Sequence, residues 1–153
     1  IDGSRINIIR QFKDEHNSVL FGTNSFWEGV DVPGKSLEML VITKLPFEVP
    51  SDPIVEARFE MLEAEGKNPF MEYMLPEAII KLKQGMGRLI RTRNDYGVVL
   101  ITDPRIITKA YSRMIRNSLP VKVEAFSDDE TMFSYIKEWF KKVENSIDDN
   151  VKE

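Results

Sequence analysis

The sequence predicts an α/β fold: a three-layer α/β/α domain built on a mainly parallel sheet. Three observations predict it. Apolar runs rich in β-branched residues, at Ser18–Thr23, Leu37–Leu45 and Val98–Thr102, alternate with stretches whose apolar residues recur every three or four positions. The intervals between those runs leave room for crossover helices, which parallel pairing requires. And 153 residues with 42% hydrophobic content suffice for one domain with a proper core. A full sheet of this type has about five or more strands. The chain offers fewer, so its first strand is expected to be missing, and the opening Ile1 in place of Met suggests a piece of something longer.

Taken in order, Ser4–His16 reads as an amphipathic helix with Ile6, Ile9 and Phe12 on one side and Asp2 or Ser4 as its cap. Ser18–Thr23 is a short strand. Thr23–Pro33 then forms a hydroxyl-rich turn at the carboxyl end of that strand, the place where open α/β sheets take ligands. Thr23, Asn24 and Ser25 can hold a phosphate by hydroxyl and backbone N–H without adding charge, or can simply cap a short helix. Leu37–Leu45 is a second buried strand, parallel to the first. Pro46 and Pro50 stiffen an extended segment, and Pro53 opens a helix that runs to about Glu65 and stops at Gly66. Asn68–Pro76 reads as a loop whose Phe70, Met71, Tyr73 and Met74 supply apolar cover.

A helix follows from Glu77 to about Arg93. On it Gln84, Gly87, Arg88 and Arg91 fall at i, i+3, i+4 and i+7 and share one face. A glutamine and two guanidiniums converging beside a glycine suit the grasp of a polyphosphate. Gly85 and Gly87 each cost a helix interior about 1 kcal/mol relative to alanine, which predicts a close approach to the backbone there. After a turn at Asp95 comes the strand Val98–Thr102, then an amphipathic helix over Arg105–Leu119 with Ile107, Ala110, Tyr111, Met114 and Ile115 inward. Its other side carries Arg105, Lys109, Arg113 and Arg116, a basic stripe or a solvated face. Val121–Phe126 reads as a last short strand, Asp128–Ile147 as a terminal helix with Phe133, Ile136, Trp139 and Phe140 on its apolar side, and Asp148–Glu153 as a frayed end.

Charge and composition narrow the function. The net charge is −4, yet the stretch from Glu124 onward holds an excess of acids and leaves the rest of the chain close to neutral. Any nucleic-acid contact would be a local patch, and Lys81, Lys83, Arg88, Arg91 and Arg93, with no acid among them, form the best candidate. With no cysteine the chain cannot build a disulfide framework, a thiolate metal site or an iron–sulfur cluster, and one histidine cannot make a metal site. No apolar run reaches the roughly 18 residues of a membrane helix, and no signal peptide opens the chain. The expectation is a soluble, cytoplasmic protein without a metal site in this segment.

Two stretches together match a known family. Thr23-Asn24-Ser25-Phe26-Trp27-Glu28-Gly29-Val30-Asp31 resembles motif V of superfamily 2 helicases, and Gln84-Gly85-Met86-Gly87-Arg88-Leu89-Ile90-Arg91 resembles motif VI, Q-x-x-G-R-x-x-R. Each alone is moderately specific; both in this order make a strong signal. The surrounding residues, including Asp95-Tyr96-Gly97 and Leu119-Pro120, are similar to the DinG branch of the XPD-like DNA helicases. The likeness runs from about Ser4 to Pro120. It implies the second of two RecA-like motor domains, with residues 1–126 as a partial domain and 127–153 as its terminal helix and acidic tail.

The resemblance further implies that ATP with Mg2+ binds between this domain and a first RecA-like domain. That first domain would carry the phosphate loop and the acidic magnesium motif. Arg88 and Arg91 would be arginine fingers and Gln84 would orient water or read the γ-phosphate. Asp31, Gly29 and Gly87 would contact nucleotide, while Thr23, Asn24 and Ser25 would hold single-stranded DNA or one strand of a duplex or fork. Gly29–Ser36 formally satisfies the phosphate-loop pattern G-x-x-x-x-G-K-[ST]. Pro33 removes an N–H inside that loop, however, and Ser36 leads into a strand where a phosphate loop opens a helix. Two other readings stand beside the motor: a non-catalytic RecA-like docking or nucleic-acid-binding module, and part of a helicase-like DNA-repair protein fused to a 3′-5′ exonuclease.

Overall fold

A computed structural model of the chain describes residues 4–15, 17–23, 37–90 and 95–150. Its centre is a parallel ladder of two strands, β1 (Met39–Ile42) and β2 (Val98–Ile101), in the register Met39↔Val98, Leu40↔Val99, Val41↔Leu100 and Ile42↔Ile101. Helices surround the ladder in chain order. They are α1 (Arg5–Asp14), α2 (Pro53–Ala64), α3 (Leu75–Leu89), α4 (Arg105–Thr108), α5 (Ser112–Ser118) and α6 (Asp129–Asn150). The α/β class and the parallel pairing are those the sequence predicts.

The core forms where the longest apolar ridge meets the ladder. Leu75, Ile79, Leu82, Met86 and Leu89 recur every three or four residues along α3 and are all buried. All but Leu89 join Ile42, Leu45, Ile106, Ile115 and Leu119 in one cluster, with Leu40, Val99 and Ile101 of the sheet packed against it. The strands alternate accordingly: Leu40, Ile42, Val99 and Ile101 face α3, and Val41 on the opposite face stays exposed.

Local signals set both ends of α2 and the start of α6. Asp52 accepts the Ile54 N–H at 2.9 Å in front of Pro53, a capped start to α2. At its end Gly66 sits at φ 71, and the Gly66 and Lys67 N–H groups return to the Glu63 and Leu62 carbonyls. That is the left-handed glycine stop that this residue permits at no steric cost. Asp128 caps α6 by accepting the Thr131 N–H at 2.8 Å. Ser4 occupies the N-cap of α1 without a side-chain cap bond.

Several expectations are corrected. Asn68–Pro76 is not a loop: Asn68 caps a helical stretch by accepting the Met71 N–H at 3.1 Å, Pro69 takes its first position, and Phe70–Met74 form a π turn running straight into α3. The π turn explains how Pro76 fits. Proline cannot donate to the carbonyl four residues back, and just before it the Leu75 N–H reaches the Phe70 carbonyl, five residues back. The stretch Arg105–Leu119 is two helices, because Lys109 turns extended at φ −93, ψ 152. The break lets Ile106 and Ile115 both reach the core and leaves Ile107, Ala110 and Met114 exposed.

Ser18–Thr23 and Val121–Phe126 are not strands. No described strand pairs with either; Val19 and Phe21 point to solvent at 78% and 90% exposure, while Val123 packs against the core without a ladder. The helix of the Gln-Arg motif also stops earlier than expected. α3 ends at Leu89, and Ile90 is extended at φ −120, ψ 105. On α6, Ile136 is buried and Trp139 and Phe140 are half-buried against Tyr96, whereas Phe133 is exposed. Asp148, Asp149 and Asn150 belong to that helix, and 151–153 lie outside the described residues.

Gly97 fixes where α3 lands on the sheet. A Cβ there would stand 2.7 Å from the Glu38 carbonyl oxygen and 2.7 Å from Leu89 Cδ1. The Val98 N–H meanwhile donates to that Glu38 carbonyl at 2.9 Å. One missing methyl thus lets the end of α3 and the start of both strands close on a single point. Gly97→Ala is expected to cost about 1–3 kcal/mol by overpacking, read as a lower denaturation midpoint with an unchanged slope in urea; an unaltered midpoint would show that this contact has slack.

Candidate nucleotide and nucleic-acid interface

The two ends of the ladder are chemically different. At its amino end lie the last turns of α3, which bring together part of the predicted site. Gln84 is exposed and Arg88 half-buried one turn later, on the face away from the Leu82–Met86 ridge. The two glycines of this stretch play opposite parts. Gly85 is buried among the core-facing positions, while Gly87 is exposed and a Cβ placed on it would meet nothing within 4 Å. Among the described residues, nothing therefore crowds the backbone at Gly87.

Arg91, the second expected finger, lies outside the described residues, as do Asn24, Ser25, Gly29 and Asp31. Of the expected i, i+3, i+4 and i+7 set, the described part of α3 carries Gln84, Gly87 and Arg88. Thr23 is described and exposed. Lys35 and Arg93 also fall outside the described residues.

The basic patch is less basic than its sequence. Lys81, one turn before Gln84 on α3, pairs with Glu48 from the segment after β1, and both side chains are about a third exposed or less. An acid far away in sequence thus answers one cation of the expected patch. The second basic stripe is divided too. Arg105 turns onto Asp103, the Arg116 Nε is buried without a hydrogen-bond partner among the described residues, and Lys109 and Arg113 remain exposed.

At the carboxyl end the organising group is Asp103, which sequence reading did not single out. It is only 4% exposed, directly beyond β2. One oxygen accepts the Leu45 backbone N–H at 2.8 Å, just beyond β1, and the Arg105 guanidinium at 2.6 Å. The other accepts the Arg105 backbone N–H and Nε, both at 3.0 Å. The carboxylate therefore ties the exits of both strands together. The hydrogen bond from Arg105 lowers its pKa far below the ordinary carboxylate value, with the Leu45 N–H adding to it and outweighing the opposing effect of burial.

The Arg105 guanidinium also lies 5.3 Å over the Phe47 ring. Phe47 in turn meets Phe70 at 5.6 Å and Tyr111 at 5.8 Å, and Phe70 and Tyr111 are 5.1 Å apart. The signal that could have revealed this cluster is the order Asp103-Pro104-Arg105 at a strand end. An acid and a base two residues apart after a buried run suit a turn that pairs them.

No helix among the described residues is long and apolar enough to cross a membrane. Comparison with known proteins gives a consistent picture. The family described as "Helicase C-terminal domain" matches residues 1–122. A Bacillus subtilis protein named 3′-5′ exonuclease DinG is 40% identical over 88% of this chain and 14% of its own length. An Escherichia coli protein named ATP-dependent DNA helicase YoaA is 46% identical over 76% of this chain and 18% of its own. A Photobacterium profundum protein named ATP-dependent DNA helicase DinG is 52% identical over 67% and 15% respectively. The chain therefore spans less than a fifth of the length of these relatives.

The Asp103 network gives a pH-dependent prediction. A carboxylate whose folded pKa is depressed contributes stability above its unfolded pKa, about 3.9, and loses that contribution as pH falls toward the folded value. Stability should therefore fall as acid is added below about pH 4. Asp103→Asn should begin about 2 kcal/mol lower at neutral pH, because the Arg105 pair is lost from a buried position, and should show a flatter acid limb. Urea titrations of both proteins across that range test it; parallel acid limbs would remove Asp103 as their source.

Proposed function

Given that the chain belongs to the family of helicase C-terminal domains, we propose that it is the second RecA-like motor domain of an ATP-dependent DNA helicase. Residues 1–126 form the motor part and 127–153 its terminal helix and tail. The observation that carries the proposal is the outward face of α3, with Gln84 and Arg88 one turn apart and, among the described residues, nothing within 4 Å of a Cβ at Gly87. Relatives named ATP-dependent DNA helicases support it.

In this reading ATP is the substrate and sits in a cleft between this domain and a first motor domain of the same polypeptide, which supplies the phosphate loop and holds Mg2+. Arg88 and Arg91 reach the γ-phosphate and neutralise charge that develops during phosphoryl transfer, worth on the order of 10³ to 10⁵ in rate for arginine fingers in general. Gln84 orients the attacking water or reads the γ-phosphate. Gly87 allows the nucleotide to approach the helix, and Gly29 and Asp31 contact it from the preceding motif. Thr23, Asn24 and Ser25 hold the phosphates of one DNA strand. Closure of the cleft on ATP and its release after hydrolysis then alternate the grip on DNA.

The match to a relative named a 3′-5′ exonuclease favours a second reading of the parent protein: the same motor half joined to a nuclease. The role of this segment is the same in both.

Two outcomes test the proposal. Arg88→Ala in the full-length protein should leave ATP affinity within a few-fold while DNA-stimulated turnover falls by at least about 10³; unchanged turnover refutes the finger. The purified 153-residue segment should not hydrolyse ATP, since it carries one side of the cleft; turnover by the segment alone would mean that the catalytic groups are assigned to the wrong place.

A further inference from the structure

The exits of β1 and β2 form a surface that the motif-based reading leaves unused. Past Ile42 the chain bends, exposing Thr43 and Lys44, before Leu45 returns to the core at 4% exposure. The Thr102 N–H donates to the Ile42 carbonyl at 3.0 Å, so the parallel ladder carries one step further and brings Thr102 beside Thr43. The two threonines follow directly on the ends of the paired strands, each two residues beyond Val41 and Leu100. Both are exposed, and so is Lys44. Among the described residues Lys44 makes no ion pair.

What singles this edge out is how it is held. The buried Asp103 carboxylate accepts the Leu45 N–H immediately after the bend and is itself next to Thr102. It therefore fixes both short exits at once. Arg105 satisfies its charge, so the negative group beneath the edge does not repel an anion above it. Ordering two exposed residues costs conformational entropy, and a buried, fully bonded carboxylate offsets that cost in advance. The outcome is a fixed edge of two neutral hydroxyls and one ammonium at the carboxyl ends of parallel strands, where sheets of this class take ligands.

We propose that Thr43, Lys44 and Thr102 form a phosphate contact for the backbone of single-stranded DNA, additional to Thr23, Asn24 and Ser25. The inference rests on the helicase reading above and names where the strand continues across this domain. The contact is sequence-independent, because hydroxyls and a point charge read phosphate oxygens and not base edges. Asp103 acts as a positioning residue that holds the contact without touching DNA.

The test uses the full-length protein and two fluorescent oligonucleotides of equal length, one all-thymidine and one of mixed sequence, titrated over a range of salt concentrations. Lys44→Ala should weaken both by about threefold to tenfold and reduce the slope of log affinity against log salt by about 0.7, the value for one phosphate contact on a single strand. Thr43→Val with Thr102→Val should weaken both a few-fold and leave the slope unchanged, since no charge is removed. Lys137→Ala, an exposed charge on α6, controls for net charge and should alter neither quantity. Unchanged affinity and slope for Lys44→Ala, in a protein whose wild type binds the oligonucleotides, overturns this contact alone. Equal losses for Lys44→Ala and Lys137→Ala overturn it as well. Failure of the wild type to bind either oligonucleotide overturns the helicase reading and this inference together.

Discussion

Everything in this chain leans on the burial of one helical ridge against a two-strand parallel ladder. Leu75, Ile79, Leu82 and Met86 cannot be shielded by a lone helix, and Leu40, Ile42, Val99 and Ile101 cannot be shielded by two lone strands. Each buried aliphatic side chain of this size contributes about 1.5–3 kcal/mol, so the contact between the two elements dominates what any single hydrogen bond adds. The ridge also orients the polar side of α3. Once the leucines face the sheet, Gln84 and Gly87 have no direction left but outward.

Two small devices fix how far the helix slides and how the strands leave. At the amino end a glycine allows Leu89, Gly97 and the Glu38 carbonyl to meet. At the carboxyl end a buried aspartate holds the Leu45 amide and Arg105. These act by different physics, one through the absence of a side chain and the other through charge-assisted hydrogen bonds. Between them the ladder is pinned at both ends. The helicase motif of α3 and the edge at Thr43 and Thr102 consequently lie toward opposite ends of the same ladder.

The sequence was most readable where a local rule and the core agreed. The apolar period of α3, the strands at Met39–Ile42 and Val98–Ile101, and the Asp52-Pro53 and Gly66 boundaries of α2 all follow from side chains close in sequence. It was least readable where distant residues decide. Ser18–Thr23 and Val121–Phe126 have strand-like composition, but a strand exists only when another is there to take its hydrogen bonds. Asn68–Pro76 read as a loop, and the π turn found there depends on packing that no short pattern reveals.

The candidate site divides the same way. Gln84, Gly87 and Arg88 lie within a single stretch, and helical spacing alone places them on one side. Arg91, the fourth member of that set, lies outside the described residues. Lys81 looked unopposed because Glu48 lies on another segment, and Asp103 went unnoticed because its partners are the backbone amide of Leu45 and a neighbour two residues on.

The π turn at Phe70–Met74 has a consequence for how this segment tolerates change. It adds one residue to a helical run, and one residue is about 100° of rotation about the axis. The aromatic front of the run, where Phe70 meets Phe47 and Tyr111, is thereby phased against the leucine-rich rear. Removing any single residue from this turn would swing that front about a quarter-revolution out of alignment. Length here, more than chemical identity, is what keeps the two ends of the run in phase.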